Sequence, residues 1–223
     1  MTESVGRDGA RDVECVILDE ARDLLAEGGL ECLSMRAVAD RVGVSATALY
    51  HYFESKQDLI ERVVSSGYKR FGEYLERAIA EHPRGSLDRI TALGEAYVLF
   101  ASENKAYFRV LFNLQAPSPR DIDELPCGGG YHLLQQCVRE AMSSGEIASG
   151  DADLVSMYLW TCVHGLVTLA LACHFQHAGE CNDCSVPESP AELFQTFRPM
   201  IAAALGRGEP RQVGIVEELR DTA

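Results

Sequence analysis

Four potential metal ligands crowd one short stretch of the chain. In the run CHFQHAGECNDC, Cys173 to Cys184, His174 and His177 stand one helical turn apart, and Cys181 and Cys184 form a Cys-x-x-C pair. Two imidazoles and two thiolates make the tetrahedral N2S2 set that zinc prefers, and the two thiols alone could act as a reversible redox switch. Zinc modules usually carry a longer insert between their ligand pairs, so an exposed loop between helices is the simpler reading, and no cofactor is required. A second group, Ser45, Thr47, Tyr50, His51, Tyr52 and Lys56, offers hydrogen bonding, stacking and one cation rather than covalent chemistry. Enzyme signatures are missing: there is no Gly-rich phosphate loop after a strand, no Gly-x-Ser-x-Gly elbow and no His-Glu-x-x-His pair.

Helices must position these groups, because apolar residues recur at helical spacing nearly throughout and no strand-like alternation persists. An all-α fold follows. Val13, Ile17, Ala21 and Leu24 form the stripe of a first helix, stopped by Gly28 and Gly29. Ser34 can cap a short second helix whose Val38, Ala39 and Val42 face inward. Gly43, Val44 and Ser45 then make a tight break, and a third helix runs from Ala46 to about Phe53. With Leu49 and Phe53 inward, Thr47, Tyr50, His51 and Tyr52 share an exposed side. Ser55 caps a long fourth helix carrying Ile60, Val64, Phe71, Leu75 and Ile79. Further helices are read at Ser86 to Ser102, Lys105 to Asn113, Gly130 to Ser144, Ala152 to His177 and Pro190 to Leu205. The expected organisation is a helix-turn-helix domain over residues 1–56, a larger helical domain over 57–206 and a weakly ordered tail over 207–223.

The formal net charge of -14 argues against a generally nucleic-acid-binding surface. The helix-turn-helix segment is the local exception, since Arg36, Arg41 and Lys56 outnumber Asp40 and Glu54 between Ser34 and Lys56. Eight cysteines in a chain with a core-sized apolar content and an acidic, polar start point to reduced thiols in the cytoplasm. Leu154 to Phe175 carries no formal charge and is long enough to span a bilayer. Ser156, Thr161, His164 and Thr168 interrupt it, and acids rather than Lys or Arg flank it, so a buried helix with no membrane role is expected.

Two short helices joined by a Gly turn, the second displaying polar and aromatic groups, is the arrangement that puts a recognition helix into the major groove. The stretch LSMRAVADRVGVSATALYHYFESKQDLI, Leu33 to Ile60, resembles the DNA-binding signature of tetracycline-repressor (TetR) regulators, including its LY-x-YF-x-SK-x-x-L ending. The resemblance implies a homodimeric transcriptional regulator, by family habit a repressor, that releases operator DNA when a small-molecule effector binds. By position, Arg36 would reach a phosphate or a base edge, Ser45, Thr47 and His51 would face the groove, and Tyr50 and Tyr52 would press on the backbone. Lys56 would meet a phosphate at the start of the fourth helix. A metal- or redox-responsive regulator on the same scaffold, using His174, His177, Cys181 and Cys184, is the alternative.

The second half, with Trp160 and the His164-Gly165 pair, resembles a TetR subgroup in which the last two long helices form the dimer interface and the preceding helices surround the effector. Val167, Leu171, Phe194, Phe197, Met200 and Ile201 are the interface candidates that this implies. Tyr97, Phe100, Phe108, Phe112, Leu134, Trp160 and His164 are the effector candidates, a mainly apolar wall with a few polar handles.

Overall fold

The computed structural model describes residues 5–112, 130–172 and 189–206, with side chains from Val13 onward. Those residues form helices and no strand: α1 (Val5–Cys32), α2 (Met35–Val42), α3 (Ala46–Leu49), α4 (Lys56–Ala80), α5 (Leu87–Glu103), α6 (Lys105–Phe112), α7 (Tyr131–Ser144), α8 (Ala152–Leu171) and α9 (Pro190–Ala204). The all-α expectation therefore holds across the described residues.

The described residues within Met1–Arg77 and Leu99–Gly130 make one compact unit, and those within Ala78–Val98 and Tyr131–Ala223 make another. This division falls inside α4 and α5: α1, α2 and α3 share their unit with most of α4 and with α6. In the first unit Ile17, Leu33, Val38, Leu49, Phe53, Leu59 and Val63 are essentially sealed from solvent. Burying each such side chain contributes about 1.5–3 kcal/mol, which is what holds helices as short as α2 and α3 in place.

The local signals behave as capping chemistry requires. Ser34 Oγ accepts from the Ala37 amide at 3.0 Å and Ser45 Oγ from the Ala48 amide at 3.2 Å. Gly43, at φ 79°, ends α2 with its own N–H on the Ala39 carbonyl, a left-handed position at which a Cβ is disfavoured. Gly29, at φ 68°, breaks the regular helix near the end of α1, next to Gly28, which is also non-helical at φ -144° and ψ 17°. Two boundaries differ from expectation. The third helix is a single turn, Ala46–Leu49, after which Tyr52 and Phe53 both bond to the Leu49 carbonyl, at 2.9 and 3.0 Å. Bonding to one shared carbonyl tightens the chain so that Phe53 plugs the core instead of continuing the helix. Val42, expected inward, is only half-buried.

In the second unit α8 packs against α7 and α9. Asp151 caps it by accepting from the Asp153 and Leu154 amides, and Arg139 of α7 pairs with Asp153 at 3.0 Å. By length and composition α8 could cross a membrane, with a mean hydropathy of 1.7. One side is buried through Ser156, Leu159, Val163 and Val167, while Leu154, Met157, Tyr158 and Leu169 stay exposed.

Candidate functional site

The helix-turn-helix brings its polar residues to the surface. Arg36, Ser45, Thr47, Tyr50, His51 and Lys56 are exposed, Tyr50 at 55%, and Tyr52 is half-buried. Leu49 and Phe53, buried beneath them, set which way that segment faces. Ser45 is committed on its acceptor side to capping α3, which leaves its O–H available as a donor.

The cations are not equivalent. Arg36, in the first turn of α2, has no hydrogen-bond or ion-pair partner among the described residues. Arg41 in the last turn is held by the Glu27 carboxylate through both terminal guanidinium nitrogens, with Glu20 at 3.8 Å. That hydrogen-bonded pairing pushes the Arg41 guanidinium further above its ordinary range. Lys56 donates from Nζ to the Leu30 carbonyl at 2.9 Å, tying the start of α4 to the end of α1. Because the ammonium carries three donors, this bond leaves two for a phosphate.

The start of α4 is fixed by a reciprocal cap. Ser55 Oγ accepts from the Asp58 amide at 3.1 Å, and Asp58 accepts from the Glu54 amide at 2.9 Å. The Glu54 N–H, and then Arg62, hold the Asp58 carboxyl below its ordinary range. Arg62 also reaches Glu14 of α1 at 3.0 Å and lies over the Phe53 ring at 5.1 Å.

The seven effector candidates fall into separate places. Phe100, Phe108 and Phe112 belong to the first unit, where Phe71 lies 5.0 Å from Phe100 and 5.9 Å from Phe112 between ring centroids. Tyr97, Leu134, Trp160 and His164 belong to the second. There the Tyr97 hydroxyl and His164 Nδ1 are 2.7 Å apart, and the Trp160 ring stands 6.1 Å from His164. Tyr131 extends the cluster, 5.6 Å from Trp160. Tyr131 and Phe71 are not among the effector candidates read from the sequence, because their ring contacts reach across helices and no local spacing reports them. Burial holds the His164 imidazole below its ordinary pKa, so the ring is neutral near pH 7. Leu134 is half-buried on α7.

Two interface candidates are buried in the single chain. Val167 is fully buried and Phe194 nearly so, within their own subunit. Phe194 lies against Gly94 of α5, where a Cβ would come within 2.5 Å of its ring. Phe197 and Met200 are exposed, at 41% and 65%, and Leu171 and Ile201 are half-buried. His174, His177, Cys181 and Cys184 lie outside the described residues, and among the described ones no group of His, Cys, Asp or Glu is gathered to hold a metal.

Comparison with known proteins agrees with this geometry in both halves. Residues 17–63 match the family described as bacterial regulatory proteins, tetR family, and residues 90–186 match the tetracyclin repressor-like C-terminal domain. An HTH-type transcriptional regulator of Mycobacterium tuberculosis is 27% identical over 149 residues, 66% of this chain but only 63% of the relative's length. The HTH-type transcriptional repressor KstR of the same organism is 34% identical over 74 residues, 33% of this chain and 34% of that one. The fold is similar to that of FadR from Bacillus subtilis, solved in complex with stearoyl-CoA: TM-score 0.65 at 20% identity, covering 85% of this chain and 97% of that one. With both halves matched in order, and with the capped helix-turn-helix in place, this chain belongs to the TetR family of bacterial regulatory proteins.

Proposed function

We propose that this protein is a sequence-specific, DNA-binding transcriptional regulator and not an enzyme: a cytoplasmic homodimer that represses at an operator and is released by a small-molecule effector. The observation that carries the reading is the head. Two serine-capped helices flank a left-handed glycine, the second helix and the turn after it expose Thr47, Tyr50 and His51, and Arg36 has no partner among the described residues. Unpaired cations and hydroxyls at a surface suit phosphate contact, and the displayed side chains suit base edges.

The exposed apolar residues of α8 and α9 favour a second copy as the partner of that face, because a soluble monomer rarely leaves such a patch uncovered. Leu154, Met157, Phe197 and Met200 are better interface candidates than Val167 and Phe194. The effector would be largely apolar with one or two polar groups. The neighbours available to it are ring clusters, with the Tyr97–His164 pair as a polar handle, and a fatty acyl thioester is what Bacillus subtilis FadR holds in its crystal. Binding would favour a separation of the two heads that no longer matches successive major grooves.

The test is a fluorescence-anisotropy titration with the DNA flanking the gene, comparing the wild type with Tyr50→Ala plus Lys56→Ala at fixed salt. Specific binding lost in the variant, and relieved by a long-chain acyl-CoA, is the expected result. A folded dimer that binds no flanking duplex would overturn the DNA-binding assignment. Binding that is indifferent to apolar acids and thioesters would overturn only the effector class.

A further inference from the structure

The arginines of the head are unequally available. In the segment from Ser34 to Lys56 the cations are Arg36, Arg41 and Lys56. Arg41 meets Glu27 in a two-pronged contact, with Nη1 to Oε1 at 3.1 Å and a shorter contact from Nη2 to Oε2, and Glu20 approaches the same guanidinium at 3.8 Å. Two carboxylates thus face one cation in the geometry that a phosphate would use. The flanking helices repeat the device: Arg62 is held by Glu14 and Asp58, and Arg22 by Asp19 and Asp23. None of these pairs is deeply buried, and a surface ion pair adds little stability, so stability alone is a weak reason for spending this many acids on these cations.

We propose that Glu20 and Glu27 are specificity-determining residues that stand in for DNA phosphate at Arg41, withholding it from duplex of any sequence. Non-specific affinity comes almost wholly from phosphate contacts. With Arg41 occupied, the head engages DNA through Arg36, Lys56 and the neutral groups of α3, and non-operator duplex gains little. Lys69 and Arg70 do not replace it, because they lie roughly 20 Å further along α4 from Lys56 at 1.5 Å per residue. The inference rests on the DNA-binding reading and concerns what sets its selectivity.

The experiment compares three dimers: the wild type, Glu20→Gln plus Glu27→Gln, and a control, Glu73→Gln plus Glu81→Gln. The control removes the same charge from exposed acids that have no ion pair among the described residues. Each is titrated with a random-sequence duplex and with the gene-flanking duplex across a potassium chloride series. Freeing one arginine per subunit should raise random-duplex affinity about ten-fold at low salt. It should also steepen the log-log salt slope by about 2, at 0.9 per phosphate contact, and the control should move far less. Retention of the first variant alone on a heparin column would agree. Equal affinities and slopes for the two variants would overturn the proposal while leaving operator binding intact. If no protein binds any duplex, the DNA-binding reading fails, and this inference fails with it.

Discussion

The hydroxyl of Tyr97 on α5 and Nδ1 of His164 on α8 lie 2.7 Å apart within one compact unit, with the rings edge to face at 6.3 Å. The phenol O–H donates to Nδ1 when the neutral imidazole carries its proton on Nε2, and the phenol oxygen accepts from Nδ1–H in the other tautomer. This hydrogen bond couples the orientation of the phenol to the tautomer of a histidine placed against Trp160.

Tyr97 is buried, so Tyr97→Phe leaves Nδ1 without this partner. The expected cost is about 1–2 kcal/mol, read as a lower urea midpoint at unchanged m-value. A midpoint equal to the wild type would mean that the pair contributes nothing to stability.

The pH dependence follows from burial, which lowers the His164 pKa below its ordinary 6.5. The unfolded chain therefore binds this proton more readily than the folded one. Stability from this residue is complete above about pH 6.5 and is lost as the pH falls through the folded value. Urea midpoints measured across this range should fall toward acid more steeply in the wild type than in His164→Gln. Parallel profiles would count against a shifted histidine.

Gly94→Ala sets two effects against each other. Alanine gains about 1 kcal/mol of helix propensity over glycine, but its Cβ would approach the Phe194 ring to 2.5 and 2.8 Å. Phe194 is buried and cannot swing aside, and overpacking of this kind costs about 1–3 kcal/mol. A net loss of stability is expected in thermal or urea unfolding, and Gly94→Ala in a Phe194→Leu background should recover most of it. A stabilised single variant would show that α9 yields easily at this contact.

Phe197→Glu plus Met200→Glu should convert a dimer to a monomer in sedimentation velocity, because a charge on each exposed apolar position must be desolvated on association. The fold should survive, since neither side chain is buried in its own subunit. A dimer that persists unchanged would move the interface elsewhere.

What the sequence determined by itself was local. Ser34, Ser45 and Ser55 cap their helices, Gly43 turns left-handed and Leu49 and Phe53 go inward, because each of these outcomes depends on neighbours a few positions away. The helix-turn-helix was legible for the same reason, and so was family membership. The tertiary structure decided whatever depends on distant partners. It turned Val167 and Phe194 toward their own core, gave Lys56 the Leu30 carbonyl and divided the ring residues between two compact units. It also paired Arg41 with Glu27 across the head. An apolar stripe states that a helix face must be covered, and a lone arginine states that a charge must be solvated or matched. Only the packed chain shows what covers the one and what matches the other.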